Sequence, residues 1–301
     1  MGAVPRDRRD RAGQLPRRPS SHPKERAMSR RPGFVTYGLL AAFVIGSALP
    51  LYWSVVIGSH TRERATSFPP PLLPGGHFLE NAARVLDTVE FWQAMVNSLV
   101  VSTACATSVV FFSTLAGYAF AKLRFRGSNA LMGFVVLTMA VPTQLAMVPL
   151  FILMRDYALL DTLVAVALPT LVTAFGVFFM RQYLVDAVPD ELLEAARMDG
   201  CSMLRTFWTV AVPAGRPAMA ILFVFTFMTV WTDYLWPLVA LQRTETLQLA
   251  LDRLALTGQG QSTDYALVLA GSAMSTVPLL ILFVLAGRQL VAGIMQGAVK
   301  G

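Results

Sequence analysis

The sequence predicts an all-α integral membrane protein with six transmembrane helices, on three observations. Of its 301 residues, 55% are hydrophobic and 14% charged, where a soluble globular chain carries about 25% charged residues. Six apolar segments occur, each of roughly the 18–25 residues that a helix needs to cross about 30 Å of hydrocarbon. Backbone groups in lipid must be satisfied internally, and these segments lack the alternating pattern of barrel strands, so they read as helices.

Residues 1–33, rich in Arg and Pro with almost no apolar periodicity, read as a disordered basic tail. A signal peptide is disfavoured, because the apolar run that follows is too long and lacks a small-residue cleavage site. Met28 opens MSRRPG, a sensible start in itself, so residues 1–27 read as a misassigned start or a dispensable extension. The segment 34–96 holds the first span, 35–57, and a loop, 58–96, with PPPLLPGG and the amphipathic FLENAARVLDTVEFWQAM. That loop is longer than a connector needs, and serves either a partner outside or packing against the other spans. A core at 97–290 has five spans, 97–121, 131–153, 161–180, 214–241 and 266–287, with a charged loop at 181–213; a tail, 291–301, follows. Pro142, Pro149 and Pro169 fall inside spans, where membrane helices tolerate proline as kinks.

Charge sets the orientation. The net +7 lies wholly in residues 1–33, so the body of the chain is neutral and no nucleic-acid partner is expected. With the N-terminus inside, cytoplasmic segments hold nineteen Lys and Arg against six outside, or eleven against six without residues 1–27. The positive-inside rule then places both termini and the 181–213 loop in the cytoplasm of a multi-pass cell-membrane protein. Cys105 and Cys201 are too few for a disulfide framework, and the three histidines show no metal-ligand spacing. No phosphate-binding Gly-x-x-x-x-Gly-Lys-Ser/Thr loop occurs, so any nucleotide energy must come from another chain.

The most informative stretch is ELLEAARMDG, 191–200, a charged helix between two apolar spans. Pro189 and Asp190 suit its start, and Gly200 suits a left-handed stop. Ser202 then caps a second short helix running toward Pro213. Taken alone, this pattern also fits an interfacial amphipathic helix with no partner.

The spacing argues for more. Glu194-Ala195-Ala196, three residues, Gly200, nine residues, then VAVP ending in Pro213 resembles the EAA loop of ABC importer permeases. Val210 and Val212 replace the usual Ile and Leu, and Cys201 replaces the common Ala. NSLVVS at 97–102, YAFAKLRFRG at 118–127, PTQLAMVPLF at 142–151, WTDYLWPL at 231–238 and the terminal GAVKG resemble the carbohydrate-uptake branch, in particular its maltose-type subunit with six spans. The resemblance covers about 28–301. It implies the type I ABC importer permease fold, a heterodimer with a second permease, two copies of an ATP-binding subunit, and an extracytoplasmic sugar-binding protein. It implies that the chain is no enzyme and holds no cofactor, ATP being bound by the partner. Glu194, Ala195, Ala196, Asp199, Gly200 and Pro213 are then the ATPase-coupling residues.

Four polar residues in or beside spans are candidates for the sugar path: Asp233, Tyr234, Gln144 and Asn97. A carboxylate at mid-bilayer costs about 2.5–3.5 kcal/mol on insertion scales, so Asp233 either lines the path or makes a hydrogen bond between helices. Two other functions compete. An ion-gradient-driven secondary transporter needs buried charge relays in several spans, where only Asp233 qualifies. A membrane-embedded enzyme needs a catalytic cluster in the spans, and none is evident.

Overall fold

Long apolar runs become long helices. The computed structural model describes residue 2, residues 33–257 and residues 263–298, so the predicted basic tail lies almost wholly outside the described residues. Fourteen α-helices and no strand occur among the described residues. They are α1 Phe34–Gly58, α2 Arg62–Ala65, α3 Phe78–Thr88, α4 Phe91–Lys122, α5 Ser128–Thr138, α6 Met147–Asp156 and α7 Leu163–Ala167. Then come α8 Ala174–Ala187, α9 Asp190–Met198, α10 Met203–Thr206, α11 Val212–Trp231, α12 Leu235–Ala240, α13 Leu247–Leu256 and α14 Tyr265–Ala298. Contacts divide the chain into two units, Met1–Ala48 and Leu49–Gly301. Of the first, the described residues beyond Gly2 give Gly33 and the beginning of α1.

Four stretches are single helices long and apolar enough to cross a bilayer: Phe34–Gly58, Phe91–Lys122, Met203–Trp231 and Tyr265–Gly287. The count reaches six when each of two bent pairs is one span. The expected third span, 131–153, is a broken one: α5 and the Thr143–Asp156 segment meet at 91°. Pro142 causes the break rather than a kink. It has no N–H, sits at ψ 125°, and disfavours helical backbone at Val141 before it. Pro149 lies in the first turn of α6, where a missing N–H costs nothing. Pro169 lies in the 3-10 turn Leu168–Thr170, after which α8 leaves at 43° to the Leu163–Thr170 segment.

Other boundaries move as well. The second span starts at Phe91, not 97, because the amphipathic external stretch divides between α3 and the first turn of α4. α8 runs to Ala187 and a continuous helical segment begins at Met203, so the predicted 181–213 loop narrows to the surroundings of α9. Within that segment Phe207–Ala211 is a π-turn, leading directly into Pro213 in the first turn of α11. The fifth span, expected to reach 241, stops at Trp231 and resumes as α12. The terminal segment is helical to Ala298 rather than a tail from 291.

The centre is α4 against α8 and α11, with α14 along α11. Gly117 lets α4 approach α8 closely, for a Cβ there would lie 2.8 Å from the Arg181 backbone nitrogen. Close small-residue crossings of this kind hold membrane helices together without a hydrophobic drive. Elsewhere large apolar side chains point outward, such as Phe134 at 63% and Val284 at 81% exposure, which suits a lipid-facing surface.

Candidate functional site

The charged stretch folds into α9, and its apolar face explains why it stays on the protein. Leu193 and Ala196, three apart, are buried. Leu193 joins a cluster with Tyr118 of α4, Met180 and Leu184 of α8, Val188, and Phe207 and Ala211 of the π-turn. The opposite face presents Glu191, Glu194, Ala195 and Arg197 to solvent. Neither Glu191 nor Glu194 has a hydrogen bond or ion pair among the described residues.

The helix is held at both ends. At its start, Lys122 Nζ donates to Asp190 Oδ1 at 2.9 Å and to the Val185 carbonyl at 3.1 Å. The lysine side chain is 7% exposed and the aspartate 78%, so a buried cation at the end of α4 holds an exposed carboxylate. That ammonium keeps the Asp190 carboxyl below its ordinary value. At its end, Gly200 has φ 75°. The Cys201 N–H donates to Ala196 O at 2.9 Å and the Gly200 N–H to Arg197 O at 3.0 Å, a Schellman closure. Ser202 Oγ then accepts from the Arg205 N–H at 3.3 Å and starts α10. A Cβ on Gly200 would meet nothing within 4 Å, so its requirement is the backbone angle. Asp199 is the C-cap residue, and Pro213 stands beyond the π-turn.

Apolar side chains crowd this end without cover: Met198 is 87% exposed, Met203 67%, Leu204 66% and Trp208 56%. Between α10 and α4 lies an apolar groove of about 480 Å³ lined by Leu115, Tyr118, Met203, Leu204 and Phe207. The short helix thus carries acids on its open face and is ringed by exposed Met and Trp side chains.

The four polar candidates are dispersed. Asn97 is 7% exposed; it donates to the Glu245 carbonyl at 2.8 Å and accepts from Gln93 at 3.0 Å. Asp233 lies in the break between α11 and α12, with the backbone N–H groups of Tyr234, Leu235 and Trp236 close to its carboxylate. The Tyr234 hydroxyl lies close to Asp252. Only Gln144, exposed in the 3-10 turn Thr143–Ala146, has no polar partner among the described residues. No cluster of metal-binding side chains occurs among the described residues.

Sequence reasoning missed a clasp at the other end of α4. Asp161, at φ 60°, accepts from the N–H groups of Gln242, Arg243 and Thr244 at 3.0, 2.8 and 2.9 Å. These bonds hold its carboxyl down to about 2. Nearby, Arg84 bonds Asp264 at 2.9 Å, Arg253 pairs with Glu245, and the Asn81 amide donates to Gly58 O at 2.9 Å and His60 O at 2.8 Å. Lys122 stands directly after the expected 97–121 span, whereas Asp161, the first residue of the expected 161–180 span, carried no signal of its role.

Residues 109–292 match the model of the binding-protein-dependent transport system inner membrane component family, and this match spans α9 and the helices that hold it. The chain belongs to that family. This inner membrane component is 37% identical over 213 residues to the arabinooligosaccharides transport system permease protein AraQ of Halalkalibacterium halodurans, covering 70% of this chain and 75% of the relative. It is 33% identical over 273 residues to the lactose transport system permease protein LacG of Rhizobium radiobacter, covering 90% and 97%. The structure superposes with TM-score 0.71 and 25% identity on a bacterial ABC transporter involved in the import of the acidic polysaccharide alginate, covering 85% of this chain and 95% of that one. It therefore has the ABC importer permease fold, and is a multi-pass membrane transport component. The alternative of an ion-gradient-driven carrier finds no relative among these.

Proposed function

We propose that this inner membrane component is the translocating subunit of an ATP-driven carbohydrate importer, coupled to a separate ATPase through α9. The observation that carries the reading is α9 itself: a helix fixed to the spans by Lys122 and Leu193, closed by Gly200, with Glu191, Glu194 and Arg197 turned outward. Rigid attachment below and an unpartnered charged face above are what a joint needs in order to pass a displacement into the bilayer. Carbohydrate as the cargo class rests on relatives named for arabinooligosaccharides, lactose and alginate.

In this reading a second permease completes the pathway, two ATP-binding subunits sit at the α9 end, and a sugar-binding protein delivers cargo on the other side. ATP is bound and split on the partner, and this chain makes and breaks no covalent bond. Alternating access needs only differential contacts of a few kcal/mol between two states. Both termini and α9 face the cytoplasm.

Proteoliposomes holding the chain, its companion permease, the ATPase and the binding protein test this. Uptake should require ATP and the binding protein and should survive an ionophore that collapses ion gradients. Uptake that follows the gradient without ATP contradicts it. For topology, Ser202→Cys without Cys105 and Cys201 should react with an impermeant thiol reagent only in inverted membranes; reaction in intact cells refutes the orientation.

A further inference from the structure

The turn between α4 and α5 carries an arginine pair that coupling through α9 does not use. Arg124 and Arg126 are exposed and line a cleft of about 790 Å³ together with Phe120, Phe125, Ser128 and Asn129. Neither arginine has an ion pair or hydrogen bond among the described residues. Asp190 is within electrostatic reach of Arg124 but is already bonded by Lys122. A span ends at Lys122 and the next helix starts at Ser128, which fixes these five intervening residues at the membrane boundary.

The apolar half of the cleft fits that depth. Phe120 and Phe125 stand with ring centroids 5.7 Å apart, and Leu131 and Phe134 of α5, exposed at 52% and 63%, continue the apolar surface away from the arginines. Guanidinium groups match phosphate oxygens in a two-pronged geometry. Basic pockets between membrane helices on the cytoplasmic side hold anionic lipid head groups.

We propose that the Arg124–Arg126 cleft binds the phosphate of an anionic phospholipid, with its acyl chain along Phe125, Leu131 and Phe134. A free phosphate ester shares the head-group chemistry but would leave the apolar half empty. Bound phosphate next to Asp190 would add negative charge beside the start of α9, so lipid composition would tune the joint.

The test uses the assembled transporter in detergent, with native mass spectrometry reading retained lipid. Phosphatidylglycerol, phosphatidylcholine and soluble glycerol phosphate are the probes. Phosphatidylglycerol should be held on the order of tenfold more strongly than phosphatidylcholine, as two arginines near an anionic group supply. Arg124→Gln with Arg126→Gln should abolish that preference, the matching Lys pair should keep part of it, and Arg216→Gln, on the same end of the molecule, should keep all of it. An unchanged preference in the double Gln variant overturns the proposal. So does full displacement of the lipid by glycerol phosphate, which would make this a soluble-phosphate site. Loss of the ATPase subunit with lipid retention intact would likewise overturn it, since the arginines would then belong to a protein interface.

Discussion

The two ends of α4 are built on different principles. Its 32 residues separate them by about 48 Å. At the Phe91 end, polar side chains are consumed internally: Asn97 on the Glu245 carbonyl, Asp161 on three backbone N–H groups, Arg84 on Asp264, Glu245 on Arg253. At the Lys122 end a single buried lysine anchors α9, while Glu191, Glu194, Met198 and Trp208 face outward. The polar groups of one end are bonded within the chain; the acids of the other are left outward, as the proposed joint with an ATPase requires.

Changes that remove the support should be the most damaging. Leu193→Ala empties a buried site under α9, which costs about 2–5 kcal/mol in a core that cannot collapse. The helix should lose amide protection over 190–198 while α4 and α8 keep theirs, and uptake should be lost. Uniform protection with normal uptake would show that α9 does not depend on its apolar anchor. Lys122→Met keeps the bulk but strips Asp190 and the Val185 carbonyl of their donor; uptake should drop by less than for Leu193→Ala, with the chain still inserted.

The closed end offers the converse test. Asp161→Ala should expose the amides of Gln242, Arg243 and Thr244 to exchange and leave α9 untouched. The pH sign follows from its depressed carboxyl. The clasp contributes fully above the ordinary value near 3.8 and is lost as pH falls through about 2, so protection of those amides should be flat from neutrality to about pH 4. Loss of protection above that range would mean another group holds the loop. The smallest effect belongs to Glu194→Ala, which removes one exposed charge worth about 0.2–1 kcal/mol if it acts as a surface pair. ATPase co-purification should weaken while the fold stays intact; a loss larger than that of Leu193→Ala would reverse the order of support and contact.

Much of this was legible in the residues. Span number followed from apolar length, and the α9 turn from Gly200 and Ser202, whose conformational demands are local. The 91° break was not, because Pro142 inside an apolar run reads equally as a kink or an end, and only packing decides. The clasp was invisible for a different reason: Asp161 and Thr244 are distant in sequence, and backbone N–H donors leave no residue-type signature. Asp233 and Tyr234 stood out by composition, yet their partners, the α12 backbone and Asp252, were equally unreadable.

Gly200→Val in the assembled transporter tests the central claim, that α9 is the coupling joint, most directly. Left-handed backbone strains a β-branched residue by roughly 1–2 kcal/mol, while open space around the position spares the rest of the fold. Carbohydrate uptake and ATP hydrolysis should be measured on the same preparation. The expected result is an inserted, assembled chain whose uptake is lost, with hydrolysis either weak or running without transport. Wild-type uptake by Gly200→Val would contradict it.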